Sequence, residues 1–294
     1  MKIATVSEIW RYPVKSMAGE SLQSAHIHTM GLIGDRSWAL VDKHTGDITN
    51  AKKHPKLLEV SAHYDNFTLT DWVYDDKIPT AILEFSNGQK IDSRSEGVSR
   101  LISELIHHEV ELVPLQPPEN TQHYKSSKRS SPEDFARMMN IKPGEDIPDF
   151  SEVDQDLMSL LIENTSPPGK HVDAYSLHML TTASIQQLAA DGGGDASPRR
   201  FRPNLLVEPV DNSPQYLEFS WVGKTLAVGS AVLKVDARTV RCAMPAQPQM
   251  PYNLPAAPEV SKVLYKNTER NLGVYIHVLE PGIISVGDSI SISQ

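Results

Sequence analysis

The sequence predicts a mainly β protein with some helix (α+β), with a β-barrel-like N-terminal lobe packed on a second, mixed lobe. Three observations predict it. Short apolar or alternating runs recur through residues 1–115, separated by turn signals at Met30-Gly31, Thr45-Gly46-Asp47 and Asn87-Gly88. One clear helical face follows, with Val98, Leu101, Ile102, Leu105 and Ile106 three or four residues apart. Pro114, Pro117 and Pro118 then break the chain, and β-type runs resume after Asp173.

In order along the chain, strands are expected at residues 2–10, 24–29, 37–42, 60–64, 67–72 and 81–85. The helix over 98–106 has Ser95 or Ser93 as candidate N-cap. The lobe boundary falls near 115, giving domains 1–115 and 116–294. Residues 116–170 read as a polar insertion or connecting segment within the second domain. Inside it, 132–139 suits a short helix with Pro132 at its first position, and 142–149 reads as loop. Beyond it come a strand at 177–180, a helix at 184–190 capped by Thr182, and a strand at 204–208. A hairpin follows around Gly229-Ser230, and the chain closes with β runs at 273–279, 283–286 and 289–292.

The charge balance is acidic: 28 basic and 37 acidic side chains give a net charge of −9. That argues against general binding to nucleic acid or to an anionic membrane, while leaving room for a small basic pocket. The single cysteine excludes an internal disulfide, a C-x-x-C site and a four-cysteine iron–sulfur cluster, and favours a reducing compartment. The opening residues lack an apolar core of signal-peptide length, and no apolar run reaches the ~20 residues of a bilayer span. A cytoplasmic protein is expected. No HExxH, P-loop, G-x-G-x-x-G or G-x-S-x-G is present.

Four stretches carry candidate chemistry. Cys242 stands near Arg238 and Arg241, whose positive charge favours a thiolate, a soft metal ligand. A lone cysteine is equally read as an inert core side chain. Arg199, Arg200 and Arg202 crowd together before Asn204 and an apolar strand, either as a solvated basic turn or as a fork for phosphate. Lys15-Ser16 and Arg36 are further anion candidates, against readings as an exposed lysine and a surface Asp35–Arg36 pair. Thr181, Thr182 and Ser184 open a helix, either as ordinary capping or as an anion site. The histidines offer no metal-ligand spacing; His107 and His108 point in different directions on one helix.

Taken together, these stretches resemble the MOSC superfamily, domains related to the C-terminus of molybdenum-cofactor sulfurase. YPVKSMAGESL followed by GLIGDRSWALVD looks like the family's N-terminal β-barrel domain. HMLTTASIQQL, RRFRPNLLVE, VRCAMP and NLGVYIHVLEPGIISVGDSI appear in the order of a MOSC domain. The similarity extends to the amidoxime-reducing molybdenum proteins and their bacterial relatives.

The resemblance implies a second β-barrel and a molybdenum cofactor, a pterin whose dithiolene binds the metal. It implies Cys242 as catalytic metal ligand. Lys15, Ser16, Arg36, Thr181, Thr182, Ser184, Arg202 and Asn204 match cofactor-contacting positions, and Arg238 and Arg241 add local positive charge. The implied activity is reduction of small N-hydroxylated compounds. Electrons would come from a separate donor protein, a reductase with a ferredoxin-like or cytochrome-like carrier. The alternative is a non-catalytic carrier of the cofactor or of persulfide sulfur. The AMPAQPQMPYNLP segment after Cys242 departs from the Thr/Asp/Gly-containing loop common in amidoxime-reducing members.

Overall fold

In the computed structural model, which describes every residue except 129–130, 214 and 294, seven strands close into a barrel. They are β1 (Lys2–Arg11), β2 (Leu177–Thr181), β3 (Leu205–Pro209), β4 (Thr225–Val228), β5 (Ala231–Val240), β6 (Asn271–Glu280) and β7 (Ser289–Ile292). Around the barrel the order is β3-β2-β6-β5-β4-β7-β1, and β1 closes it by pairing with β3, Ile9 opposite Leu205. Only β2 and β3 run parallel; the other barrel pairings are antiparallel. The barrel interior is filled by alternate residues of each strand, among them Val6, Met179, Val207, Leu233 and Ile276.

The first strand therefore shares one core with strands from the far end of the chain. A second core gathers Val14, Trp38, Leu57, Leu83, Ile102 and Leu112 from the N-terminal half, and Met244 and Cys242 pack against it. Two further three-stranded sheets belong to that half: 38–42 pairs with 48–49 and 110–114, and 61–63 joins 82–84 and 90–92. The mixed, strand-rich architecture is the one the sequence pattern predicts.

Among the described residues, five α-helices of two turns or more surround these cores: α1 (Val98–Ile106), α2 (Pro132–Met139), α3 (Gln155–Glu163), α4 (Thr182–Ala190) and α5 (Pro258–Thr268). A further single turn spans Thr121–Tyr124. The helix α2 opens as expected on Pro132, with Ser131 accepting from the Asp134 N–H.

Three local expectations are corrected. Residues 67–72 are not a strand: Phe67 lies 3.7 Å from the Arg11 guanidinium and Trp72 stacks near His28, so their aromatic mass covers a face rather than joining a sheet. The N-cap of α1 is Gly97, at φ 95°, because Ser93 Oγ is already accepting from the Ala81 N–H. The cap of α4 is Thr181 rather than Thr182, its hydroxyl accepting from the Ser184 N–H at 3.0 Å. Two helices, α3 and α5, were not anticipated; in α5 the buried Val260, Leu264 and Thr268 recur every fourth residue, the periodicity that could have revealed it.

Candidate functional site

Interior-facing Leu177 and Met179 on β2, and Val274 and Ile276 on β6, leave His178 and Tyr275 on the outer face of the barrel. Over that face lies a cavity of about 600 Å³, lined also by the loop after β1, the stretch before β3 and the continuation of β5. Those segments deliver Lys15 and Ser16, Arg202 and Asn204, and Arg241 and Cys242 respectively, with Arg36 beside them. Seven sequence-predicted residues thus share one cavity.

Its basic side chains are Lys15, Arg36, Lys52, Arg200, Arg202 and Arg241, against a single lining carboxylate, Asp173. In a chain of net charge −9 this is a concentrated positive site. Lys15 is 5% exposed and donates to the His171 carbonyl at 2.9 Å and to Asp173 Oδ1 at 2.5 Å. Lys52 approaches the other oxygen, Oδ2, at 2.8 Å. Burial alone would raise the Asp173 carboxyl, but the two ammonium groups hold it well below the usual carboxylate range. Burial lowers Lys15 despite Asp173.

The arginines divide by task. Arg200 is fully buried and its fork reaches the carbonyls of Asp195, Pro245, Gln247 and Pro255, which pins the loop following Cys242. Arg199 pairs with Glu8 at 2.9 Å and lies over the Trp10 ring. Arg241 Nη2 donates to the Phe201 carbonyl at 2.8 Å, and Nη1 stands 3.5 Å from His178 Nε2. Burial, then Arg241, pushes His178 well below the usual imidazole range, so it is neutral. Arg202 Nη2 and Arg241 Nε are buried without a hydrogen-bond partner among the described residues.

Backbone strain concentrates in the same cavity. Ser16, Arg36 and Arg202 have φ of 72°, 47° and 54°. Such left-handed conformations cost non-glycine residues of order 1 kcal/mol or more, and they cluster where a site demands a fixed geometry. Ser16 Oγ accepts from the Ala51 N–H at 2.9 Å and so holds the turn that carries Lys52. Asn204 is spent on the scaffold: its Nδ2 donates to the Trp10 carbonyl and its Oδ1 accepts from the His178 N–H.

Four expected residues do not line the cavity. Thr181 and Ser184 turn their hydroxyls to the fully buried Glu218, at 2.7 and 2.5 Å, and Thr182 donates to Asn212 Oδ1 at 2.6 Å. Arg238 pairs with Glu152 at 2.6 Å and faces Glu269. Conversely Lys52, Asp173, His178 and Tyr275 line the cavity and were not among the expected site residues, although His178 and Tyr275 lie within two of the quoted stretches. Among the described residues, no group of three or more His, Cys, Asp or Glu is arranged to hold a metal ion, and no helix is long and apolar enough to cross a membrane.

Residues 3–99 match the family model for the MOSC N-terminal beta barrel domain, and residues 169–291 match that for the MOSC domain. Mitochondrial amidoxime-reducing component 1 of Homo sapiens is 25% identical over 317 residues, covering 98% of this chain and 83% of that protein. Mitochondrial amidoxime reducing component 2 of Homo sapiens is 38% identical over 69 residues, 22% of this chain and 20% of that protein. Among solved structures, the YUAD protein from Bacillus subtilis is similar at a TM-score of 0.45 and 10% identity, covering 98% of this chain and 94% of that one.

Proposed function

From the premise that this chain belongs to the MOSC family and is related to the amidoxime-reducing components, we propose that it binds a molybdenum cofactor and reduces small N-hydroxylated compounds. The observation that carries the reading is that Cys242 shares one cavity with Lys15, Arg36, Arg202 and Arg241.

The residues fit such a group. Arg202 Nη2 and Arg241 Nε are buried donors without a partner among the described residues, suited to the phosphate oxygens of a pterin tail. Cys242 is the one thiol in the chain, able to give a thiolate suited to molybdenum. When bound, the cofactor supplies two-electron chemistry at the metal and an acceptor for the substrate oxygen.

The chain's own part is positioning and charge. Arg241 puts a cation beside Cys242, and Arg200 fixes the loop that follows it. Lys15 and Lys52, braced by Asp173, hold positive charge in the cavity. The net reaction cleaves the N–O bond: an amidoxime, two electrons and two protons give the amidine and water. A separate donor protein is proposed as the source of the electrons, since one cysteine cannot build a four-cysteine iron–sulfur cluster within these residues.

The test is protein made in a host that synthesises the cofactor, with molybdenum and pterin measured per chain and benzamidoxime reduction followed with an artificial donor. Bound molybdenum with turnover, and no turnover in Cys242→Ala, is the expected result. An unchanged rate in Cys242→Ala with molybdenum bound overturns it.

A further inference from the structure

Away from its cations the cavity is apolar, and the apolar side comes from a stretch outside both family matches. Between residues 99 and 169, α2 contributes Phe135, Met138 and Met139, and α3 contributes Met158, Leu161 and Ile162. Such a surface takes hydrocarbon, and its unbranched methionines adapt to shape.

This wall is fastened next to Cys242. The Ala243 N–H donates to the Met138 carbonyl at 2.9 Å, one residue beyond the cysteine. Arg238 grips Glu152 through both its side chain and its backbone N–H, and Arg270 pairs with Glu145 while donating to the Met139 and Asn140 carbonyls. At the rim, Ile147 and Ile162 are 73% and 54% exposed, although both line the cavity. Exposed aliphatic groups at the mouth of a cavity give an apolar ligand surface to cover.

We propose that residues 132–162 are the substrate-selecting wall of this site, holding the aryl or branched alkyl body of an N-hydroxylated compound while its N–O group faces Cys242. The assignment of that group to an N-hydroxylated compound rests on the proposed reductase function; the apolar selectivity rests on the wall itself. Charge separates the two ends. The basic end repels cationic bodies and has no use for hydrocarbon, whereas the α2–α3 end offers no partner for a charged body.

The probes are benzamidoxime and acetamidoxime, which share the N–O group and differ only in the body. Titration calorimetry and steady-state turnover are run on the cofactor-loaded protein, with molybdenum and pterin content measured in parallel. Wild type binds benzamidoxime the more tightly. Leu161→Trp, which fills the apolar end from a half-buried position, lowers benzamidoxime affinity and kcat/KM by about tenfold and leaves acetamidoxime within about twofold, a discrimination typical of apolar pockets. Met138→Ala, which keeps a good helix former, weakens benzamidoxime selectively as well.

Equal change for both probes, or no change for either, overturns the wall. So does loss of molybdenum and pterin in Leu161→Trp, since the apolar side would then serve the cofactor. If neither probe is reduced but the selective loss of benzamidoxime binding persists, the wall stands and the reductase reading falls. If both probes are reduced with equal efficiency and neither variant separates them, the reductase reading stands and the wall falls.

Discussion

The Arg202 guanidinium lies 4.2 Å from the centre of the Tyr12 ring, and the Arg36 guanidinium lies 4.9 Å from the same centre. Two cations therefore share one aromatic ring. Burial first, and Arg36 second, make the charge on Arg202 less favourable. Among the described residues its Nη1 donates to the Met17 carbonyl at 2.5 Å, while Nη2 is buried without a hydrogen-bond partner. A buried donor without a partner is destabilising, so the side chain is better explained by a bound anion than by the fold. Arg202→Met is expected to reduce molybdenum and pterin per chain by about tenfold while leaving the urea midpoint unchanged or higher. Arg202→Lys should not restore retention, because an ammonium lacks the planar fork. A lower midpoint with full cofactor content would make Arg202 a structural residue.

Ser184 gives the opposite expectation. Its hydroxyl and that of Thr181 both serve the Glu218 carboxyl group in the protein interior. Ser184→Ala should cost about 1–2 kcal/mol of unfolding free energy by removing a buried hydrogen bond, with cofactor content unchanged. Chemical denaturation and metal analysis on the same preparation check both halves. Loss of pterin at unchanged stability would return the helix start to the site.

Gly273 sits in β6 at φ 77°, where an added Cβ would lie 2.2 Å from His178 Nε2 and 2.7 Å from the Met179 carbonyl oxygen. Gly273→Ala is therefore expected to destabilise the protein by about 3 kcal/mol or more, through strain in a barrel strand and displacement of a cavity residue. The double variant Gly273→Ala with His178→Ala relieves the side-chain clash but neither the carbonyl contact nor the backbone strain. It should remain well below His178→Ala in thermal unfolding. Full recovery would show that the imidazole alone sets the requirement.

What was legible in the sequence follows from how local each signal is. The strands at 289–292 and 231–235, the latter running on to Val240 in the structure, and the helix at 98–106 announce themselves by period, because alternation or a four-residue repeat reports burial within one element. Cys242, Lys15, Arg36 and Arg202 were found by chemical type and family resemblance, and the cavity unites them. Asp173 and Lys52 leave no local pattern, because Asp173 pairs with Lys15 and Lys52 from more than a hundred residues away. Arg238 lies outside the cavity lining for the converse reason. Sequence proximity to Cys242 suggested a shared site, but the strand turns its side chain toward Glu152. The hydroxyls of Thr181 and Ser184 turn from the cavity to the buried Glu218 carboxyl group, 34 residues beyond Ser184, which no local pattern announces.

Acid should destabilise the fold through its buried histidines, with the carboxyls of Glu218 and Asp236, both raised by burial, opposing. Burial depresses His171 and His178 well below the usual imidazole range, so both are neutral when folded. Their contribution is fully present above about pH 6.5, the unfolded value, and is lost as pH falls below it, because only the unfolded chain then takes up the protons. Glu218 works the other way: burial raises its carboxyl despite the Ser184 and Thr181 hydroxyls. Its contribution is present below the unfolded carboxyl value and is lost as pH rises through the folded one. In Glu218→Gln, where that opposing titration is gone, lowering the pH from about 7.5 to about 5.5 should reduce unfolding free energy by roughly 2–3 kcal/mol, about 1.4 for each imidazole. The wild-type protein should lose less over the same window. Urea titrations at the two pH values decide it: an equal loss in wild type and in Glu218→Gln would mean that the Glu218 carboxyl is ionised in the fold across that window.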